Sequence, residues 1–195
     1  DKLVVPGFVN AHYHSHDVLA KGLLEETFLE KWRLLALPPA YPKRTVEEVR
    51  ARTLLGALEC LRSGMTTVQD MVTLYPFDPA HLAAVLQAYD DIGVRAVVGL
   101  QYADKRGIHT IHYWTEVFPE EVHSNLSTAA EPDKNFDILG FFEDECLKPD
   151  QASDRVHWAL GPSAPERCSD ALLERTADLS ARYDIPVYTH IYESK

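Results

Sequence analysis

The sequence has little of what would place it outside the ordinary run of globular proteins. Its 195 residues include three cysteines, Cys60, Cys146 and Cys168. They are odd in number and far apart, which excludes a disulfide framework and a CxxC zinc pattern and fits a reducing, cytoplasmic setting. No apolar run approaches the roughly 20 residues that span a bilayer, so no membrane partner is expected. Asp1-Lys2-Leu3-Val4-Val5-Pro6 is too short for a signal peptide and lacks a small-residue cleavage site. Positive charge is also scarce. Lys and Arg number 19 against 30 Asp and Glu, a net charge of -11. The densest basic group, Lys43-Arg44 with Arg50 and Arg52, is interleaved with Glu47 and Glu48. A nucleic-acid partner is therefore not expected. No low-complexity tract is present, and no GxGxxG follows a strand, which leaves a dinucleotide-binding sheet without support.

What is present is a globular composition, 46% apolar and 25% charged, long enough for one domain with a substantial core. Short apolar runs alternate with amphipathic segments. Leu3 to Val9 reads as a first strand leading into a histidine cluster. Thr45 to Arg62 reads as a helix, with Thr45 and Glu48 as a capping box. Its apolar face is Val46, Val49, Thr53, Leu54, Leu58 and Leu61, and Ser63-Gly64 ends it. Thr66 to Asp70 is a second strand. Asp78-Pro79 opens a helix whose face is Leu82, Val85, Leu86 and Tyr89, and Gly93 stops it. Val94 to Leu100, Arg155 to Leu160 and Pro186 to Tyr192 give three more strands, with a helix from about Ser169 to Tyr183 before the last. Such alternation implies a parallel sheet, either doubly wound or part of a (β/α)8 barrel. The spacing of about 31 residues per unit fits the barrel. A long insertion, Gln101 to Lys134, carries His109, His112, Tyr113, Trp114, Phe118 and His123. It reads either as a cover for a pocket or as a surface excursion with its own short helix.

In Asn10-Ala11-His12-Tyr13-His14-Ser15-His16-Asp17 three histidines alternate. Alternate residues of a strand share a face, so His12 and His14 can ligate one divalent ion together. The flanks extend the pattern. Val5-Pro6-Gly7-Phe8-Val9-Asn10-Ala11-His12-Tyr13-His14 resembles the first-strand signature of the amidohydrolase superfamily. Within it, the run looks like the branch of aminohydrolases and chlorohydrolases acting on N-heterocycles, such as cytosine, guanine and S-adenosylhomocysteine deaminases and triazine hydrolases. Three further segments agree in order. Gly64-Met65-Thr66-Thr67-Val68-Gln69-Asp70 is similar to the branch's second strand. Gly161-Pro162-Ser163-Ala164-Pro165-Glu166-Arg167-Cys168-Ser169 is similar to the loop after its fourth, and Val187 to Ser194, with His190 and Glu193 in an HxxE pattern, to its fifth.

The resemblance implies a partial TIM-type (β/α)8 barrel holding strands 1–5 with their helices. Residues 1–195 would be one incomplete domain, without strands 6–8 or the accessory β-domain. It implies His12, His14 and His190 as ligands of one divalent metal, zinc first and iron as the alternative, and Glu193 as proton shuttle. By strict alternation Glu193 reaches the pocket only if the chain turns near Tyr192. The reaction implied is hydrolysis of a C–N or C–Cl bond of a small N-heterocycle by a metal-activated water. Ser163 stands where nucleoside-type deaminases of this branch place a histidine that touches the base, which argues against a purine nucleoside and makes Ser163 a candidate substrate contact. His16 is either a second substrate contact or a solvated loop residue. His157 is expected inward on strand 4 in a structural part. Strand 4, "RVHWALGPS", has no lysine to bridge two metals, so one metal is favoured. The expected ligands on strands 6 and 8 lie beyond Lys195, so these residues alone are expected to hold metal weakly and to turn over negligibly. Exposed barrel edges imply homo-oligomers or other association. The competing reading is a non-catalytic or degenerate α/β fragment acting through association.

Overall fold

The computed structural model describes residues 2–29, 31–32, 43–74, 76–105, 110–111, 113–128, 136–148 and 154–193, with 126–128 described for their backbone alone. Four parallel strands lie in sequential order: β1 (Phe8–Tyr13), β2 (Met65–Val72), β3 (Arg95–Tyr102) and β4 (Val156–Pro162). Helices connect them, as parallel pairing demands: α1 (Val46–Arg62), α2 (Pro79–Ile92), the short α3 (Trp114–Val117), α4 (Glu120–Thr128) and α5 (Ile138–Cys146), with α6 (Asp170–Tyr183) after β4.

The helix ends follow local chemistry. Thr45 accepts the Glu48 N–H, Asp78 accepts that of Ala80, and Ser169 accepts that of Leu172. Gly64 and Gly93 sit at φ +84° and +76° just past α1 and α2, where a side chain would be strained. The core lies between sheet and helices: Val68, Val72, Val98, Leu100 and Leu160 from the strands meet Val49, Ala57, Leu82, Val85, Tyr89 and Phe142. Helix α5 has no counterpart in the sequence reading. Its nine residues carry an acidic run, yet Leu139, Phe142 and Cys146 fall on one buried face, and Phe142 meets Trp158 edge-on.

Several expectations are corrected. The first strand is Phe8–Tyr13, not Leu3 to Val9; Leu3, Val4 and Val5 are exposed. The buried face of α1 is Val49, Arg52, Thr53, Gly56, Ala57 and Cys60, while Val46, Leu58 and Leu61 are exposed. Small residues set this face: a Cβ on Gly56 would lie 3.1 Å from the Tyr13 ring, so helix and strand meet where side chains are smallest. On β4 the expectation holds for the helix-facing set, Val156, Trp158 and Leu160, so His157 lies on the opposite face of the sheet, where it is exposed.

The fifth strand is reduced to one bridge, Leu160 to Val187. Leu160 donates to the Pro186 carbonyl and Tyr188 donates to that of Leu160, both at 2.9 Å. The next donor on β4 would be Pro162, which has no N–H, so the ladder stops. The segment still runs beside β4, because the His190 N–H reaches the Ser163 carbonyl at 3.2 Å. At the opposite edge no strand beyond β1 is found among the described residues. Phe8 and Val9 are exposed there, and a cavity of about 510 Å³, lined in part by Asn10, Tyr13, Gly56 and Cys60, opens beside it.

Candidate metal centre

His12 and His14 leave the carboxyl end of β1 on one side, because His14 keeps extended backbone angles before a 3-10 turn starts at Ser15. Their rings stand edge to face with centroids 4.8 Å apart. The 186–193 segment brings His190 to within 5.0 Å of the His12 ring and 5.2 Å of the His14 ring. One nitrogen from each histidine falls in a group no wider than 4.8 Å.

Each ring is held from behind through Nδ1. His14 Nδ1–H donates to the Met71 carbonyl at 2.6 Å, and His190 Nδ1–H to the Ser163 carbonyl at 2.7 Å. His12 Nδ1 faces Gln69 Oε1 at 3.4 Å. Carbonyl oxygens only accept, so the network puts the Nδ1 protons on His14 and His190 and leaves both Nε2 atoms as lone-pair donors. These two Nε2 atoms lie 3.2 Å apart. Two lone pairs at that distance repel unless a proton or a cation sits between them. Two nitrogens on one tetrahedral zinc lie about 3.3 Å apart, given Zn–N bonds of about 2.0–2.1 Å. The His14–His190 pair has that spacing, and the group of three nitrogens spans up to 4.8 Å; imidazole donors suit a divalent cation, and carbonyls behind them are the usual means of orienting ligand imidazoles.

Behind β1, Asp70 is fully buried. Its carboxylate accepts the Ser15 N–H at 2.9 Å and the Tyr89 hydroxyl at 2.7 Å. The Tyr89 oxygen lies 2.5 Å from that of Tyr13. Burial raises the Asp70 pKa above the ordinary carboxylate value, against the hydrogen bonds, which lower it. Burial and the Asp70 charge push the Tyr89 phenol well above its ordinary value. The cluster pins the residue that follows His14 to β2.

His16 is buried rather than solvated. Its Nδ1 accepts the Thr73 N–H at 3.0 Å, which puts the proton on Nε2, 3.4 Å from Asp17. Burial, with His14 and Arg52 adding to it, holds this imidazole well below its ordinary pKa. Both ring nitrogens are engaged in holding the turn to the end of β2. Arg52, a charged residue on the buried face of α1, reaches the His16 and Thr73 carbonyls at 3.4 Å each, and burial lowers its pKa to about 10.

Ser163 is also buried, and its hydroxyl is occupied. Gln101 Nε2 donates to it at 2.9 Å and Arg167 Nη1 approaches at 3.2 Å, while Thr73 donates to Gln101 Oε1 at 2.8 Å. The chain leaves the extended conformation at Tyr192, φ +58°, and the Glu193 carboxylate comes back to Arg167 Nη1 at 2.8 Å. Gln101 carried no motif in the sequence, and Arg167 stood inside the segment similar to the strand-4 loop with no role assigned to it. In the insertion, His123 donates to the Phe118 carbonyl and meets the Trp114 ring, a contact within the insertion itself. His109 and His112 lie outside the described residues.

Residues 3–195 match the profile of the Amidohydrolase family, and the chain belongs to it. It is 30% identical over 194 residues to a 5'-deoxyadenosine deaminase of Methanocaldococcus jannaschii, covering 100% of this chain and 39% of that protein. It is 30% identical over 193 residues to a 5-methylthioadenosine/S-adenosylhomocysteine deaminase of Thermococcus kodakarensis, covering 99% and 38%. Among solved structures, an adenosine deaminase from Xanthomonas campestris with bound zinc superposes with a TM-score of 0.67 at 26% identity, over 95% of this chain and 36% of that one. A triazine hydrolase from Arthobacter aurescens gives a TM-score of 0.71 at 24% identity, over 96% and 40%, a likeness of fold alone. The chain thus spans about two fifths of the proteins it matches, and its four-stranded sheet is part of a TIM-type barrel.

Proposed function

We propose that the protein carrying this chain is a metal-dependent hydrolase that deaminates an amino-substituted N-heterocycle. His12, His14 and His190 hold one divalent cation, zinc before iron, and Glu193 moves the proton. The observation that carries this reading is the pair of Nε2 atoms 3.2 Å apart, each imidazole tied from behind by a carbonyl. When bound, such a cation makes water a nucleophile near neutral pH. The rest belongs to the chain's own side chains. The Met71 and Ser163 carbonyls and Gln69 hold the three rings in place. Glu193 accepts a proton from the attacking water and delivers it to the departing ring substituent, which leaves as ammonia. Loss of chloride would use the same residues. Deamination is preferred because relatives at 30% identity over nearly the whole chain are deaminases, whereas the likeness to triazine hydrolase carries the fold only.

The test is metal analysis and a product assay on the full-length protein. About one equivalent of zinc or iron is expected, with ammonia released from 5'-deoxyadenosine, 5-methylthioadenosine or S-adenosylhomocysteine, the compounds named for the relatives and preferred on that ground over the expectation drawn from Ser163, or from guanine. Chloride release from a chlorinated triazine without ammonia from any amino-heterocycle would transfer the reading to dechlorination. Neither product from fully metal-loaded protein would overturn it.

A further inference from the structure

We propose that Arg167 is a positioning residue for Glu193, holding its carboxylate at the carboxyl ends of the strands through a polar chain that crosses them. The inference rests on the proton-carrying part assigned above to Glu193. Arg167 lies in the turn after β4 with its side chain 6% exposed, and Glu193 is 26% exposed. A guanidinium buried to that degree needs a close anionic partner. Two carboxylates approach it. Glu166 stands 3.8 Å from Nε on the solvent side, with its side chain 39% exposed, whereas Glu193 accepts from Nη1 at 2.8 Å.

The guanidinium is itself held in place. Its Nη1 also approaches Ser163 Oγ, which accepts from Gln101, whose Oε1 accepts from Thr73. The Ser163 carbonyl meanwhile receives both the backbone N–H and the ring Nδ1–H of His190. One residue, Ser163, therefore sets the third histidine through its carbonyl and the arginine through its hydroxyl. The proposed ligand and the proposed proton carrier are registered to the same point of β4, although Glu193 lies beyond the positive-φ turn at Tyr192, where strand geometry no longer orients it.

The experiment uses full-length protein with Arg167→Met, Arg167→Lys, Glu193→Gln and the Arg167→Met/Glu193→Gln double variant. For each, kcat, KM on the best amino-heterocycle substrate, metal stoichiometry and thermal midpoint are measured. Arg167→Met is expected to lower kcat about 100-fold, the low end of what a proton-transfer group supplies, with KM and metal stoichiometry unchanged. Arg167→Lys is expected to recover about ten-fold of that. Independently of activity, Glu193→Gln should lower the thermal midpoint by stranding the buried guanidinium, and the double variant should regain most of that loss. A rise in KM at unchanged kcat would make Arg167 a substrate contact and overturn the proposal. So would additive losses in thermal midpoint, or loss of metal in Arg167→Met. If Arg167→Met does not accumulate as folded protein, Arg167→Lys carries the test, and parental kcat in it overturns the proposal. Full activity in Glu193→Gln would overturn the proton-carrying reading itself; an inactive Glu193→Gln beside a fully active Arg167→Met would overturn the positioning role alone.

Discussion

Gln69 is the side chain that faces a ring nitrogen of a proposed ligand among the described residues, since the rings of His14 and His190 lean on backbone carbonyls. Gln69→Leu should therefore weaken metal binding by roughly 10-fold or more without loss of fold, read by competition with a chelator. Asp70 makes a different prediction. Burial raises its pKa in the folded protein, so the folded form holds that proton more tightly than the unfolded chain. The resulting stabilisation is complete below the ordinary carboxylate value and is lost as pH rises through the raised one. Asp70→Asn cannot titrate. The stability of the parent relative to this variant should fall as pH rises above the ordinary carboxylate value of about 4, measured by urea denaturation at a series of pH values. At this scale the sequence was informative where alternation and motif coincide, at His12, His14 and His190. It was silent on Arg167 and misleading on His16, because their environments are made by β2, β4 and a turn at Tyr192 that no local pattern announces.

The helix ends were legible because their causes are local: Thr45, Asp78-Pro79, Gly93 and Ser169 each act within four residues of themselves. Faces and ladders were less so. Periodicity selected the bulky leucines of α1, but Tyr13 of β1 chooses the glycine side. The fifth strand has a suitable sequence and fails to form a ladder because of Pro162 on its neighbour. Gly161 shows how tightly that neighbour is packed, since a Cβ there would lie 2.5 Å from the Leu100 carbonyl oxygen. Gly161→Ala should cost roughly 1–3 kcal/mol, as overpacking does, and should be visible as a lowered midpoint in chemical denaturation.

Taken whole, the described sheet keeps one open flank. Phe8 and Val9 present exposed apolar surface on an edge strand, the arrangement that promotes pairing with another chain. Produced alone, these 195 residues should self-associate, and Val9→Lys should shift their elution in size-exclusion chromatography toward the monomer. No helix among the described residues is long and apolar enough to cross a membrane.

The interrupted ladder at Pro162 has a thermodynamic side. The 186–193 segment is fastened by few backbone bonds, yet it carries one proposed ligand and the proposed proton carrier. Occupancy of the centre and order in this segment are then linked: whatever free energy the segment gives up in becoming fixed is subtracted from metal affinity, and bound metal returns it as protection. Chelation should therefore speed amide hydrogen exchange at Tyr188 and His190 well before it touches Val98 or Leu100. The segment beside β4 would then serve as the gauge of whether the centre is filled.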